Sequence, residues 1–311
     1  MNKKLELNKE QSEAVCFGEG PLLVLAGAGS GKTRVLIHRV FELINSKSVD
    51  PKKIVLLTFT NKAAEEMKKR IVAMGAKRQV LGFAGTFHTF GVKILREFGE
   101  RVGVDKNFSI FDTDDSEKVM KLAIEEMGWD IKENKPSMYL GVIGKMKNDL
   151  VSRNELEKTT NNYFLKRVCE VWRKYESRMK NNKALDFDDL LTKTVEVFKI
   201  LEVRKEINSR FEWILVDEYQ DTNKAQFEIT RSLSAKSQNI TAVGDASQAI
   251  YSFRGADFRN LLLLQSEFPN LTTVSLPKNY RSTQHILDSA YGVIKNNTGH
   301  PVIKLESTQE K

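Results

Sequence analysis

The sequence has no apolar run close to the roughly 18 residues that a membrane-spanning helix requires, and its first residues contain no apolar signal core. Cysteine is also scarce, because Cys16 and Cys169 are the two in 311 residues, and their spacing matches no zinc motif. No internal repeat or low-complexity segment is visible. We therefore expect a cytoplasmic protein with reduced thiols and no membrane partner.

The composition is that of a globular protein, with 41% hydrophobic and 29% charged residues. A net charge of +8 fits an anionic partner such as nucleic acid, and it fits a proteome rich in lysine and asparagine equally well. The charge is unevenly distributed: residues 134–185 carry twelve basic and five acidic side chains, whereas residues 106–133 carry four and eight. At this length we expect two or three domains.

A glycine-rich segment, Ala26–Thr33, matches the phosphate-loop pattern G-x-x-x-x-G-K-[ST] with Ala in the leading position. The apolar run Leu22–Leu25 precedes it, and the helical pattern Val35–Phe41 follows it. In this strand–loop–helix context, backbone N–H groups and the helix N-terminus can bind phosphate. Lys32 can reach the β- and γ-phosphates, and the hydroxyl of Thr33 can bind Mg²⁺. The segment therefore predicts an ATP–Mg²⁺ site.

Apolar runs alternate with helical patterns along most of the chain, which indicates an α/β fold with a parallel sheet covered on both faces. The predicted strands are Leu22–Leu25, Ile54–Phe59, Val80–Ala84, Phe211–Val216, Ile240–Val243 and Leu271–Leu276. Between Lys106 and Leu185 the strand signal disappears, and the segments 115–127 and 163–179 have the periodicity of amphipathic helices. We expect this part to be a helical insertion.

Polar side chains follow two of the predicted strands and complete the nucleotide site. Asp217, about 185 residues after the phosphate loop, could hold Mg²⁺, and Glu218 could orient and deprotonate the water that attacks the γ-phosphate. Gln248 follows the next strand, where it could sense the γ-phosphate, and Asp245 could support the metal shell. The carboxyl ends of parallel strands meet at one sheet edge, so these groups should lie together.

Eight short segments stand in the same order as the motifs of one family. They are Leu7–Gln11, Ala26–Thr33, Thr58–Ala64, Gly85–Phe90, Asp186–Leu190, Val216–Asn223, Gly244–Ala256 and Leu276–Ser282. With them, the chain resembles the N-terminal half of superfamily 1 DNA helicases of the UvrD/Rep/PcrA type. The resemblance covers nearly all of the chain apart from the helical insertion. It implies a P-loop NTPase of the RecA-like class that moves along single-stranded DNA.

The resemblance also implies roles around the nucleotide. Gln11 would read the adenine edge, Tyr280 would stack on adenine, and Arg281 would contact the γ-phosphate. The implied nucleotide-binding residues are Gln11, Ala28, Gly29, Ser30, Gly31, Lys32, Thr33, Arg34 and Tyr280. The implied catalytic residues are Lys32, Asp217, Glu218, Gln248 and Arg281, and the implied metal ligands are Thr33 and Asp217.

A second implied set of residues contacts DNA. Its members are Phe59, Thr60, Asn61, His88, Tyr251, Phe253 and Arg254. Bases would stack on the aromatic members without regard to sequence. Many relatives have Trp where this chain has Phe253, so the stacking area there is smaller. For His88, DNA contact and structural hydrogen bonding remain equally open.

The resemblance further predicts the domain organisation. Residues 1–105 and 186–276 would form the RecA-like motor domain, residues 106–185 the helical insertion domain, and residues 277–311 the start of a second RecA-like domain. The rest of that C-terminal motor domain, with the family's later motifs, is expected downstream. We expect the partners to be single-stranded DNA and single-strand/duplex junctions.

Several readings remain open. A nucleotide-dependent scaffold without translocation is a second class, although the complete Asp217–Glu218 pair argues against a protein that only binds ATP. A helicase–nuclease subunit is a third. The acidic cluster Asp186, Asp188 and Asp189 could bind a second metal, but a capped helix start is the stronger interpretation. The basic run within 166–183 is either a solvated helix face or a DNA-facing surface.

Overall fold

The structure is a computed structural model that describes residues 7–75, 81–252 and 255–309. These residues form two compact units. The first comprises the described residues of Met1–Phe87, Lys205–Thr222 and Thr230–Lys311, and the second comprises His88–Arg204 and Asn223–Ile229. In the described ranges no helix is both long and apolar enough to cross a membrane.

The helices occur throughout the chain. Their bounds are α1 Lys9–Cys16, α2 Lys32–Asn45, α3 Asn61–Ala73, α4 Phe87–Phe98, α5 Thr113–Glu126, α6 Pro136–Asn148, α7 Arg153–Thr159, α8 Tyr163–Asn181, α9 Phe187–Lys199, α10 Leu201–Arg210, α11 Lys224–Ser234, α12 Arg259–Glu267 and α13 Gln284–Ile294. The strands are β1 Leu22–Ala26, β2 Ile54–Thr58, β3 Phe83–Thr86, β4 Ser109–Ile110, β5 Ala184–Leu185, β6 Trp213–Val216, β7 Ile240–Gly244, β8 Thr272–Leu276, β9 Lys278–Asn279 and β10 Glu306–Ser307.

The first unit is built on a parallel sheet. Among the described residues six strands form it, in the order β3-β2-β6-β7-β1-β8. The pairs Leu25↔Gly244 and Ala26↔Leu276 bring the carboxyl ends of β7, β1 and β8 to one level. The predicted α/β class with a parallel sheet is therefore confirmed. The third predicted strand was placed too early, since β3 begins at Phe83, and Val80 lies outside the described residues.

Side chains of successive strand residues point to opposite faces of the sheet, and those on one face form the core of this unit. Leu22, Val24 and Ala26 of β1 point to the same face as Leu56 of β2, and all four are buried with apolar side chains of α1, α2 and α3. The intervening strand residues, such as Val55, are also buried, because the other face is covered as well. Burial on both faces explains why the strands are continuous apolar runs.

The second unit contains a helical core with α5, α6 and α8. Trp172 and Tyr175 of α8 are buried against apolar residues of α5 and α6. The expectation that strands would be absent from this part was wrong in one detail, because β4 and β5 form a short parallel pair. Two-residue strands carry too few alternating positions to be visible in a sequence pattern.

The acidic cluster in the second unit caps a helix. Asp186 is the N-cap of α9 and forms a capping box with Asp189, as the stronger interpretation predicted. The buried Lys147 ammonium lies 2.6 Å from Asp186 Oδ2 and 2.7 Å from Asp189 Oδ1. Among the described residues no group of three or more His, Cys, Asp or Glu side chains is arranged to hold a metal ion.

Part of the basic run on α8 is paired with carboxylates. Within the second unit, Lys174 Nζ and Arg178 Nη2 lie 2.8 and 3.1 Å from the Glu126 carboxylate. Arg173 Nη2 lies 2.8 Å from Glu157 Oε1, and the Arg167 guanidinium lies 4.0 Å from the ring centre of Trp129. These pairs explain how α8 keeps so many cations on one helix, because neighbouring helices supply the opposite charge.

Candidate nucleotide site

The phosphate loop lies between β1 and α2, at the carboxyl edge of the central strands. Gly29 and Gly31 adopt φ values of 75° and 93°, a left-handed backbone that favours glycine. Added side chains would also collide, since a Cβ on Gly29 would lie 2.7 Å from Arg281 Cβ. The glycine-rich pattern is therefore explained by both backbone geometry and close packing.

The start of α2 offers backbone donors to an anion. Its N-cap is Gly31, which has no side chain to occupy the first N–H groups. Ser30 instead folds its hydroxyl back onto the carbonyl of Gly27 at 2.7 Å. With the positive end of the helix dipole, this arrangement suits phosphate.

Two other predicted catalytic side chains contact the ammonium of Lys32. Its ammonium lies 2.9 Å from Glu218 Oε2 and donates a hydrogen bond of 3.2 Å to Gln248 Oε1. Gln248 in turn donates to Asp245 Oδ2 at 2.6 Å. Side chains from the ends of β1, β6 and β7 thus converge, as their positions after parallel strands predict.

Asp217 lies at the end of β6 with a buried oxygen that lacks a partner. The residue is 7% exposed, and its Oδ1 accepts no hydrogen bond from the described residues. Burial, with the neighbouring Glu218 charge, raises the pKa of Asp217 to about 7. An orphaned, buried carboxylate oxygen within electrostatic range of Lys32, the residue before Thr33, has the ligand chemistry that Mg²⁺ prefers. The donor set therefore fits the metal.

Gln220 connects the two strand ends and was not singled out from the sequence. Its amide Nε2 donates to Glu218 Oε2 at 2.8 Å, while its Oε1 accepts from the backbone N–H of Asp245 at 3.0 Å. Gly244 leaves the necessary space, because a Cβ there would lie 2.6 Å from Gln220 Oε1. Glu218 itself has a left-handed backbone with φ of 48°, which is a strained conformation for glutamate. Gln220 therefore holds this carboxylate in place.

The N-terminal helix α1 reaches the phosphate loop. Asn8 caps it, and the fully buried Gln11 completes a capping box by accepting from the Asn8 N–H at 3.2 Å. Gln11 Nε2 also donates to the Ser30 carbonyl at 2.9 Å. Gln11 is not among the residues that line the cleft, so its contact with adenine stays a prediction. Asn8 Nδ2 donates to the Tyr280 hydroxyl at 2.9 Å, which places Tyr280 beside α1.

The segment after β8 is hydrogen-bonded to the other side of the loop. Asn279 Nδ2 donates to the Ala28 carbonyl at 2.6 Å, and the Tyr280 N–H donates to the Gly29 carbonyl at 2.9 Å. Asn279 Oδ1 accepts from the Arg281 N–H at 2.8 Å. Asn279 was also not singled out from the sequence, because its partners are about 250 residues away in the chain.

These elements enclose a cleft of about 500 Å³ in the first unit. Its walls include the loop glycines, Lys32, Thr33, Arg34, Glu218, Gln248, Tyr280 and Arg281. The volume lies within the range of small-molecule sites. Glu66 and Arg70 of α3 form an ion pair and also line the cleft, and neither was singled out from the sequence.

Of the residues proposed to contact DNA, two stack on each other. The rings of Phe59 and Tyr251 lie 5.2 Å apart at 26°, and Phe59 is 38% exposed. Thr60 and Asn61 are exposed at the start of α3, where the Thr60 hydroxyl caps the helix. Phe253 and Arg254 lie outside the described residues.

His88 belongs to the second unit. Its ring packs edge-on against Phe187 at 5.9 Å, and burial lowers its pKa. A neutral, half-buried imidazole suits a packing role, and its contact with DNA remains a prediction.

Comparisons with known proteins support one family. The sequence profile of the UvrD/REP helicase N-terminal domain matches residues 7–269. The chain is 43% identical over 293 residues to the ATP-dependent DNA helicase PcrA of Staphylococcus aureus, covering 94% of this chain and 40% of that protein. It is 44% identical over 294 residues to PcrA of Staphylococcus epidermidis, with the same coverage. The chain thus spans about 40% of the length of these curated relatives.

Proposed function

Because the chain belongs to the UvrD/REP helicase family, we propose that it is the ATP-binding part of an ATP-dependent DNA helicase that translocates on single-stranded DNA. Its sheet is that of a RecA-like helicase domain. The observation that carries the proposal is the meeting of Lys32, Glu218 and Gln248 at the mouth of the phosphate loop. A cation, a carboxylate and an amide at that point suit the γ-phosphate and its attacking water.

The geometry suggests a sequence of events at Lys32. Phosphate oxygens of ATP compete with Glu218 for the ammonium, because both are anions at hydrogen-bond range. Once displaced, the Glu218 carboxylate is free to orient and deprotonate water, while Gln220 restrains it. Arg281, which lines the same cleft, would stabilise charge developing on the γ-phosphate.

Thr33 and Asp217 would hold Mg²⁺ in this site. When bound, the ion neutralises phosphate charge and orients the β- and γ-oxygens. The partnerless Oδ1 of Asp217 is the feature of this chain that supports the assignment. Asp245 would orient Gln248 and would not bind the metal, since its carboxylate accepts a hydrogen bond from the Gln248 amide.

Single-stranded DNA is the proposed second ligand of the first unit. The exposed Phe59–Tyr251 stack is a base-stacking surface, and Thr60 and Asn61 expose polar groups next to it. From the resemblance we also propose DNA contacts for Phe253 and Arg254 and, as a separate contact, for His88 of the second unit. We further propose that the domain boundaries lie between residues 105 and 106, 185 and 186, and 276 and 277. We also propose that the protein acts at single-strand/duplex junctions together with a C-terminal motor domain, and that it is located in the cytoplasm.

The decisive experiment measures ATP hydrolysis by the full gene product with and without single-stranded DNA. A translocase is expected to be stimulated at least about tenfold, because DNA binding completes the catalytic arrangement. A scaffold would bind ATP without stimulation, and a helicase–nuclease subunit would also cleave the strand. The Glu218→Gln variant serves as the control for contaminating ATPases.

A further inference from the structure

Arg39 of α2 is fully buried although it is an arginine. Its guanidinium makes five hydrogen bonds, four to backbone carbonyls at the end of α1 and one to a hydroxyl on β7. The acceptors are Ala14 O, Val15 O, Phe17 O, Gly18 O and Thr241 Oγ1, at 2.8 to 3.3 Å. Among the described residues no carboxylate pairs with it. Buried arginines normally have such a partner, so this one requires another explanation.

The carboxyl end of α1 supplies the missing negative charge. The last carbonyls of a helix lack intrahelical donors and carry the negative end of the helix dipole. Arg39 satisfies them, and its guanidinium also lies 5.5 Å from the ring centre of Phe17 and 5.9 Å from that of Trp213. Burial lowers the pKa of Arg39 to about 10, so the group remains charged at neutral pH. The side chain of Arg39 therefore supplies the hydrogen-bond donors that the carboxyl end of α1 lacks.

The opposite end of α1 is fixed at the phosphate loop. Gln11 donates to the Ser30 carbonyl, and Asn8 donates to the Tyr280 hydroxyl. A helix of eight residues has little stability of its own, so its position depends on these attachments. Lys32 is the first residue of α2, and Arg39 lies seven residues later on the same helix. Both ends of α1 are thus tied to the single segment that binds phosphate.

We propose that Arg39 is a positioning residue that sets the base-recognition surface of the nucleotide site by fixing α1 relative to the phosphate loop. The proposal rests on the proposed function, since it takes the cleft as the site of an adenine nucleotide. Tyr280, which lines the cleft and accepts a hydrogen bond from Asn8 of α1, is the aromatic part of that surface, and the buried Gln11 fixes α1 to the loop. Lysine cannot replace the guanidinium, because one ammonium with three donors does not reach five acceptors spread over two elements.

The test compares two probes on this chain: ATP–Mg²⁺ and tripolyphosphate–Mg²⁺, which lacks a base. For Arg39→Lys we expect ATP affinity to fall about tenfold, while tripolyphosphate affinity stays within about twofold, because the phosphate loop is intact. Faster amide hydrogen exchange in α1 should accompany the loss. The isosteric Thr241→Val variant removes one acceptor only and should show a smaller loss in the same direction.

Asn208→Ala is the matched control for simple destabilisation. Asn208 is a buried amide of the first unit that donates to the Ser232 carbonyl at 3.0 Å, and it is not among the residues that line the cleft. The Asn208→Ala substitution should lower the melting temperature and leave the ratio of ATP affinity to tripolyphosphate affinity unchanged. An unchanged ratio in both Arg39→Lys and Thr241→Val, or an equal loss for both probes, would overturn the proposal. If the wild-type chain binds neither probe, the proposed function fails instead.

Discussion

Lys32 Nζ and Glu218 Oε2 lie 2.9 Å apart, so the cation of the phosphate loop is paired with the proposed catalytic carboxylate. In this pair the proposed phosphate-binding group and the proposed water-activating group neutralise each other. We therefore expect nucleotide binding and the activation of Glu218 to be coupled, because phosphate would have to displace the carboxylate from the ammonium.

Glu218→Gln should preserve nucleotide binding and stop hydrolysis. The amide keeps the shape of the side chain and removes both the base and the charge that competes for Lys32. We expect phosphate release by the full gene product to fall at least about 100-fold, with nucleotide affinity of this chain within about threefold of wild type. Glu212→Gln, which alters an ion pair with Lys53, should change neither. If the Glu218→Gln variant still hydrolyses ATP, another residue must activate the attacking water.

We expect single-stranded DNA to bind without sequence preference, and we expect its affinity to fall as the salt concentration rises. Phosphate contacts release counterions, whereas stacking on aromatic rings is indifferent to base identity. Phe59→Ala should cost about 1–3 kcal/mol of binding free energy, measured by fluorescence anisotropy with homopolymeric oligonucleotides. Val72→Ala, an exposed apolar residue at the other end of α3, is the control. A strong preference for one base would contradict the stacking account.

The strands and the strand–loop–helix form of the phosphate loop could be predicted because both depend on local patterns. The apolar runs of β1, β2, β6 and β7 are continuous, and the glycine-rich pattern of Ala26–Thr33 lies in one short segment. The strand order could not be predicted, since pairing of β1 with β7 and β8 joins residues about 220 to 250 positions apart.

The roles of Gln220, Asn279 and Arg39 were missed for the same physical reason. Each side chain acts through atoms of a distant segment, and its own neighbours in sequence give no sign of that partner. A buried arginine on a helix resembles an exposed one in the sequence. Only packing shows that its donors meet helix-end carbonyls.

We expect Asp188 to lower the free energy of unfolding of the second unit as pH rises. Burial, with the Asp186 charge, raises the pKa of Asp188 to about 6, although Asn148 donates to it at 3.0 Å. Its folded pKa exceeds the unfolded value of roughly 4, so its stabilising contribution is complete below pH 4 and is lost as pH rises through 6. Asp188→Asn should remove this loss, making the variant more stable than wild type at pH 8 by roughly 1–3 kcal/mol.

The comparison is made by urea unfolding of both proteins at pH 4.5 and pH 8. The difference in the free energy of unfolding between variant and wild type should favour the variant more at the higher pH. A difference that does not change between the two pH values would show that Asp188 does not titrate as described.

The cleft at the phosphate loop is proposed to bind ATP–Mg²⁺ through Lys32, and a calorimetric titration of this chain tests this binding directly. Lys32→Ala removes the phosphate-facing ammonium and should weaken binding by roughly 10- to 100-fold, the value of a hydrogen bond to a charged group. The control Lys53→Ala removes an equal charge paired with Glu212 and should bind as wild type does. Equal affinity of the Lys32→Ala variant and wild type would contradict the account.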